Sequence, residues 1–183
     1  MKKVLSILVL AALILPSCIK VDIDDSVTNN GNGNSGNYAS QEEKIIATKI
    51  ITGQVSEHVT LPKGKYTLKG YVYVTNRAVL TFAPGSVIVS DTINKGALIV
   101  ERNSKLMAAG TATDPIVFTS GKLPGQRKAG DWGGIILLGN APTNRTTEPT
   151  IEGGVNAQYG GTIVGDNSGT LTYVRIEFAG IAA

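Results

Sequence analysis

Beyond residue 66, hydrophobic residues occur in short runs that glycine, asparagine, proline and other turn residues separate. The segment 71–89 can be laid over 97–118, and each unit then shows three short apolar runs. Four pairs coincide at an offset of 26 residues: Val74 with Val100, Arg77 with Asn103, Ala78 with Ser104 and Leu80 with Leu106. A repeat of this length, rich in β-branched residues and without helical crossovers, predicts an all-β solenoid of stacked coils.

Two later segments continue the repeat. "WGGIILLGNAP" at 132–142 follows a polar insertion at 121–131 and predicts the start of a third coil. "GTLTYVRIEFAG" at 169–180 predicts a further coil, because its apolar residues again alternate with polar ones between glycines.

The segment 41–49, just before the repeat, allows two interpretations. Ser40 and Glu43 are spaced as in a capping box, which favours a short helix. The isoleucines within 45–51 favour strands instead.

The start of the chain has a different pattern. Lys2 and Lys3 precede an unbroken apolar run from Val4 to Leu15. This run is too short to span a bilayer, which takes about 20 apolar residues. Its proportions are those of a secretory signal, and we predict a signal peptide at 1–17.

Cys18, the one cysteine of the chain, follows this run directly. The sequence Leu15-Pro16-Ser17-Cys18 resembles the lipobox of bacterial lipoproteins. The resemblance implies cleavage between Ser17 and Cys18, a diacylglycerol on the Cys18 sulfur and acylation of the new amine. Several acyl chains anchor a protein stably, so the membrane is the first predicted partner. The alternative is an inert, buried cysteine behind an ordinary secretory signal.

A polar tether is predicted from Cys18 to residue 40, because "SVTNNGNGNSGNYAS" at 26–40 offers little apolar surface to bury. The charged residues Lys20, Asp22, Asp24 and Asp25 resemble the export signal of surface lipoproteins in Bacteroidota, which implies the outer face of the outer membrane. A merely solvated tether is the alternative. Ser26, between an acid and valine, resembles the O-glycosylation site of the same group.

The body carries a second family resemblance. "YTLKGYVYV", "LTFAPGSVI", "ALIVERNSKLMAAGTATDPIVFTS", "GDWGGIILLGNAP" and "GTLTYVRIEFAG" together resemble the right-handed parallel β-helix lipoproteins of Bacteroidota, whose bodies are pectin-lyase-like. The resemblance implies a β-helix domain over 41–183. Because those proteins are longer and "FAGIAA" follows a strand directly, we expect this chain to be part of a longer product.

Charge excludes one class of partner. The formal charge is +3, and removal of Lys2 and Lys3 with the signal peptide leaves 15 basic against 14 acidic residues, or +1. Nucleic-acid binding domains are usually strongly basic, so no nucleic-acid partner is expected.

Candidate chemistry in the body is sparse. The acids are scattered, and no two occupy the same place in the repeat, so no catalytic residue is predicted. Asp166, Asn167 and Ser168 offer oxygen ligands for calcium, the one cofactor considered, but a turn is the favoured interpretation because an isolated Asp-Asn-Ser supplies too few ligands. Trp132 could stack on a sugar, but the apolar residues after it favour packing at the start of a coil.

These observations favour a surface-anchored envelope lipoprotein with a binding or structural role, whose partner is an extracellular glycan or a surface protein. One alternative is a polysaccharide lyase or hydrolase whose catalytic coils belong to a longer product. Another is a truncated envelope protein without function. Fold analogy does not choose among them.

Overall fold

The computed structural model describes residues 37–145, 149–151, 155 and 157–180. The described residues all belong to one compact unit, Gly36–Ala183. The predicted signal peptide and most of the predicted tether lie outside the described residues. Within those residues, no helix is long and apolar enough to cross a membrane.

One helix precedes eleven strands in the described part of the chain. The helix α1 spans Gln41–Thr48. The strands are β1 Ile50–Val55, β2 Val59–Leu61, β3 Lys65–Val74, β4 Val79–Phe82, β5 Val87–Ser90, β6 Ala97–Val100, β7 Lys105–Ala109, β8 Ile116–Ser120, β9 Gly134–Leu137, β10 Gly169–Thr172 and β11 Val174–Ile176.

The strands form three walls, which the chain visits in a fixed order. The first wall contains β5, β8 and β11, the second contains β6 and β9, and the third contains β2, β4, β7 and β10. The longer strands β1 and β3 bend from the first wall into the second and join these two walls into one sheet. All pairs of neighbouring strands are parallel. The fold is the right-handed parallel β-helix that the sequence predicts.

The strand register confirms the predicted offset of 26 residues. Val74 pairs with Val100 in the second wall, and Leu80 pairs with Leu106 in the third. The turn between these walls also repeats, because Arg77 and the equivalent Asn103 both have positive φ angles, 60° and 69°. Successive coils therefore stack turns that have a left-handed residue at the same repeat position.

The later coils differ from the prediction in one respect. Strand β9 pairs with β6, while β10 pairs with β7 through Leu106 and Gly169. The segments 132–142 and 169–180 therefore share one coil, and only β11 begins the next. The reason is that residues 138–168 leave the solenoid between the second and third walls as an insertion.

The core is one column of side chains inside the three walls. At its centre Phe82 contacts Tyr66 and Phe118 edge to face, with ring centroids 6.2 and 5.6 Å apart. The Tyr66 hydroxyl donates a hydrogen bond to the Pro62 carbonyl oxygen at 2.7 Å, so this buried polar group is satisfied. Aromatic pairs of this geometry add about 0.5–1.5 kcal/mol each to the free energy of burial.

The helix α1 resolves the ambiguity of segment 41–49. The Ser40 side chain accepts a hydrogen bond from the Glu43 backbone N–H at 3.2 Å, as a capping residue does. Lys49 ends the helix in the left-handed conformation, and its N–H donates to the Ile45 carbonyl oxygen. The strand interpretation holds only from Ile50 onward, because the helix caps fix the boundary there.

A candidate binding cleft beside the second wall

The described residues of the insertion at 138–168 pack on the outer face of the second wall. Its apolar side chains form a second hydrophobic cluster that is separate from the core column. The buried members of this cluster are Ala97, Ile99, Leu138, Val155 and Ala157, and Tyr73, Ile136, Ile151 and Tyr159 pack against them. The outer face of a wall that would otherwise meet water is thus partly covered, which gives the solenoid a second layer on this side.

Hydrogen bonds hold the insertion in place. Leu138 continues the ladder of the second wall by donating its N–H to the Val100 carbonyl oxygen at 2.8 Å. Within the insertion, Thr150 and Gln158 form an antiparallel bridge. Arg102, from the turn after β6, donates from Nη1 to the Gly160 carbonyl oxygen at 3.0 Å. The guanidinium therefore joins the solenoid to the insertion.

A cleft of about 420 Å³ opens between the turn after β6 and the insertion. Its lining residues come from both sides: Glu101, Arg102 and Asn103 from the turn, and Thr150, Ala157 and Gln158 from the insertion. Five of these six residues carry polar side chains. A volume of this size can hold a small ligand such as one or two sugar rings.

The turn after β6, with its left-handed residue, positions the polar residues 101–103. Ser104 donates its N–H to the Glu101 carbonyl oxygen at 3.0 Å, which closes the turn. Asn103, with φ 69°, accepts a hydrogen bond at Oδ1 from the Asn140 amide at 2.8 Å. Asparagine tolerates the left-handed conformation better than most residues, which explains its use here. Consecutive residues 101–103 thus all reach the cleft.

The lining supports recognition of hydroxyl groups. The Glu101 carboxylate accepts hydrogen bonds, whereas the Asn103 and Gln158 amides both donate and accept. Glycoside hydrolysis uses two carboxylic groups, and among the described lining residues only Glu101 carries one. Glu148 and Glu152, both in the insertion, lie outside the described residues.

Sequence reasoning did not identify this cleft. The 26-residue repeat aligns Asn103 with Arg77, each in the turn of its own coil. The solenoid side of the cleft could therefore be predicted from the sequence. The insertion side of the cleft depends on how 138–168 packs on the second wall. The apolar residues of that segment are spaced too irregularly to predict this packing. The signal missed was the pair of insertions, since an interrupted repeat often carries the functional surface on one face.

The calcium candidates Asp166, Asn167 and Ser168 lie in a turn that leads into β10. Asp166 Oδ2 accepts a hydrogen bond from the Asn140 N–H, and Asn167 Oδ1 accepts one from the Gly169 N–H, both at 2.7 Å. No cluster of three or more His, Cys, Asp or Glu residues able to hold a metal ion exists in the described part of the chain. Calcium binding here stays a prediction.

Trp132 lies inside the solenoid, at the start of the coil that contains β9. Its side chain is 1% exposed and belongs to the core column. The indole N–H donates to the Glu177 carbonyl oxygen at 2.8 Å. In this position the ring presents no face to a sugar, and the tryptophan anchors the last described coil to the preceding one.

A buried carboxylate organises the other insertion, at 121–131. Asp131, 2% exposed, accepts hydrogen bonds from the Lys122 ammonium at 2.6 Å, the Ser120 hydroxyl at 2.6 Å and the Lys128 N–H at 3.1 Å. The hydrogen bond from the Lys122 ammonium is the main reason why the pKa of Asp131 lies far below its usual range, and the hydrogen bond from the Ser120 hydroxyl is the second. With every oxygen partnered, this group serves as a structural anchor for the loop.

The remaining predicted sites lie outside the described residues. These are Ser17 and Cys18, for signal cleavage and lipidation, and Ser26, for O-glycosylation. They stay predictions from the sequence.

Comparison with known families agrees with the fold. A family model described as a pectate-lyase like beta helix domain matches residues 53–183, which is most of the chain. No curated protein and no solved structure matches the chain.

Proposed function

Since the chain belongs to the family of pectate-lyase-like β-helix domains, we propose that it is a non-catalytic glycan-binding protein of the cell envelope. The observation that carries the proposal is the polar cleft beside the second wall. It combines a carboxylate, a hydroxyl and two amides over about 420 Å³, a set that matches the alternating donors and acceptors of sugar hydroxyls.

Binding is favoured over catalysis for a chemical reason. A glycosidase needs an acid and a second carboxylate on opposite sides of the scissile bond, and a lyase needs a base beside a group that stabilises the carbanion. Among the described residues that line the cleft, Glu101 is the one carboxylate, and it supplies neither pair by itself. Arg102 is bonded to the Gly160 carbonyl oxygen and to Gln158 Oε1, so its donors already serve the architecture of the cleft.

The proposal includes the anchor that the sequence predicts. Lipidation at Cys18 would hold the mature protein at the outer membrane, and the tether would present the β-helix at the cell surface. Replacement of Cys18 by Ala should abolish labelling with a clickable fatty acid. Continued labelling of Cys18→Ala would overturn the anchor without affecting the cleft.

The cleft is tested by glycan binding. We expect the purified full chain to bind members of an extracellular-glycan array, and Asn103→Ala to weaken that binding at least tenfold, because it removes a direct polar contact. Arg77→Ala is the matched control, since it places alanine at the equivalent left-handed position one coil earlier, where the residue does not line the cleft. Silence of the native chain on the array, or equal losses in both variants, would contradict the proposal.

The enzymatic alternative has its own readout. Incubation with uronate polymers and neutral polysaccharides should release neither unsaturated nor reducing ends. If such ends appear and Glu101→Gln abolishes them, the cleft is catalytic and the binding proposal is wrong.

A further inference from the structure

The corner between the first and second walls carries a surface that the cleft does not use. Three turns meet there on successive coils, at 69–71, 91–96 and 121–133. They stack closely: the Gly70 N–H donates to the Asn94 carbonyl oxygen at 2.8 Å, and the Gly133 N–H donates to the Gly96 carbonyl oxygen at 2.8 Å. We call these three turns the corner ridge.

The corner ridge is basic. It contains five cationic residues, Lys69, Lys95, Lys122, Arg127 and Lys128, against the two acids Asp91 and Asp131, which gives a net charge of +3. Asp131 is buried and neutralised by Lys122. Hydrogen bonds from the backbone of Asn94 and Ile93 hold the Asp91 carboxylate within its own turn. The lysines at 69, 95 and 128 are exposed.

The same ridge exposes large apolar side chains at its tips. Ile93 is 87% exposed and Leu123 is 67% exposed. Each lies within two residues of a lysine, Lys95 for the first and Lys122 for the second. The turns that carry them are adjacent, because a Cβ built on Gly121 would lie 2.1 Å from the Ser90 carbonyl oxygen of the coil before.

We propose that the corner ridge docks on an anionic lipid surface, with Ile93 and Leu123 entering the interface and the neighbouring lysines contacting lipid phosphates. Cations alone would suit a soluble polyanion equally well. Exposed branched side chains among those cations favour lipid, since apolar residues gain free energy at the boundary of the acyl chains while lysines bind the headgroups. This surface is independent of the glycan cleft and would orient the β-helix on its membrane.

The proposal is tested with the full-length Cys18→Ala chain, which removes acylation from the comparison. Co-sedimentation is measured with phosphatidylglycerol-rich and with pure phosphatidylcholine vesicles. The segment 1–17 is present in every variant, and its apolar run favours both vesicle types while Lys2 and Lys3 favour the anionic ones. The readout is therefore the change, from one variant to another, in the ratio of the two affinities. We expect the anionic vesicles to be preferred, and the preference to fall with added salt.

Variants then locate the contact. Lys95→Ala with Lys128→Ala should reduce the preference about 25-fold, at about fivefold for each cation at a membrane surface. Ile93→Ser with Leu123→Ser should weaken binding to the anionic vesicles about tenfold. The matched controls are Lys44→Ala with Lys65→Ala, two exposed lysines outside the ridge, and Val164→Ser, an equally exposed apolar residue elsewhere.

Two outcomes would overturn the proposal. Equal losses in the ridge and control variants would show that net charge alone acts. Sensitivity to the lysines without sensitivity to Ile93 and Leu123 would show a contact with a soluble polyanion instead of a lipid surface.

Discussion

The first and the last described coils of the solenoid differ in how they are covered. At the start, α1 lies over the first coil and inserts Ile45, 6% exposed, into the core column. In the last described strands, three residues occupy register positions where the previous coil has fully buried side chains. These residues are Leu137, Leu171 and Ile176, with 42%, 44% and 48% of their surface exposed.

Hydrogen bonds from α1 also cover the backbone edge of the first coil. The Gln41 side chain donates to the Gln54 carbonyl oxygen and accepts from the Ser56 and Glu57 N–H groups, so the helix satisfies part of the open strand edge. The difference between the ends shows what a parallel stack requires. Each coil needs apolar cover for its interior and hydrogen-bond partners for its backbone, and one short amphipathic helix supplies both.

The largest expected effect compares two leucines of the third wall, one in the interior of the stack and one in the last described coil, where it pairs with Ala108. Leu106→Ala should lower the free energy of unfolding by about 3 kcal/mol, because it leaves a cavity in a fully buried column. Leu171→Ala should lower it by less than about 1 kcal/mol, because the side chain is already 44% exposed. Urea unfolding of both variants measures the difference. Equal losses would show that something covers the last coil in solution.

The next largest effect concerns Gln41, through which α1 bonds to the edge of the first coil. Gln41→Ala removes four side-chain hydrogen bonds to the first coil, three of them to its backbone edge, and should lower the free energy of unfolding by about 2 kcal/mol. Gln54→Ala is the control, since that side chain is exposed on the neighbouring strand and only its backbone takes part. Thermal unfolding monitored by circular dichroism distinguishes them. A loss in the control as large as in Gln41→Ala would assign the effect to strand propensity.

At the far end, stability should depend on pH through Asp131. Its pKa is lower in the folded chain than in the unfolded chain, so its stabilisation is present above the unfolded value, about 4, and is lost as the pH falls through the lower folded value. Asp131→Asn should therefore be less stable than the native chain at pH 7, and the gap should narrow below about pH 4.

The contact that Asp131 supports is the link to the last coil, where its N–H donates to the Phe178 carbonyl oxygen at 3.0 Å. Hydrogen exchange of residues 174–180 at neutral pH should accelerate in Asp131→Asn, while exchange in α1 stays unchanged. Equal acceleration at both ends would contradict a local role for this carboxylate.

How much the sequence revealed depends on the distance between interacting residues. The coils were predictable because Val74 and Val100 occupy equivalent places in a short repeat, and pairing in a solenoid follows the repeat directly. The helix α1 was predictable only in part, since Ser40 and Glu43 matched a capping box while the following isoleucines favoured strands. Local spacing was thus sufficient wherever the partner lies in the next coil.

The cleft and the place of β10 could not be predicted in this way. Both depend on residues 138–168, which pack on the second wall through Val155 and Ala157 instead of continuing the repeat. Nothing in the spacing shows that Leu106 pairs with Gly169, because the insertion between them has no equivalent in earlier coils. Contacts made across an insertion depend on tertiary packing, which a single sequence does not encode in a periodic form.

The smallest effect concerns two serines inside the stack between the ends. Both are fully buried, yet only Ser86 has a partner, the Ala83 carbonyl oxygen at 2.7 Å, whereas Ser104 Oγ has none among the described residues. The repeat places Ala78 at the position of Ser104 one coil earlier, so alanine fits there. Ser104→Ala should therefore raise the free energy of unfolding by about 1 kcal/mol, since it removes an unsatisfied hydroxyl. Ser86→Ala should lower it by about the same amount. Urea unfolding of both variants measures the two effects, and a loss of stability in Ser104→Ala would mean that an ordered water satisfies this buried hydroxyl.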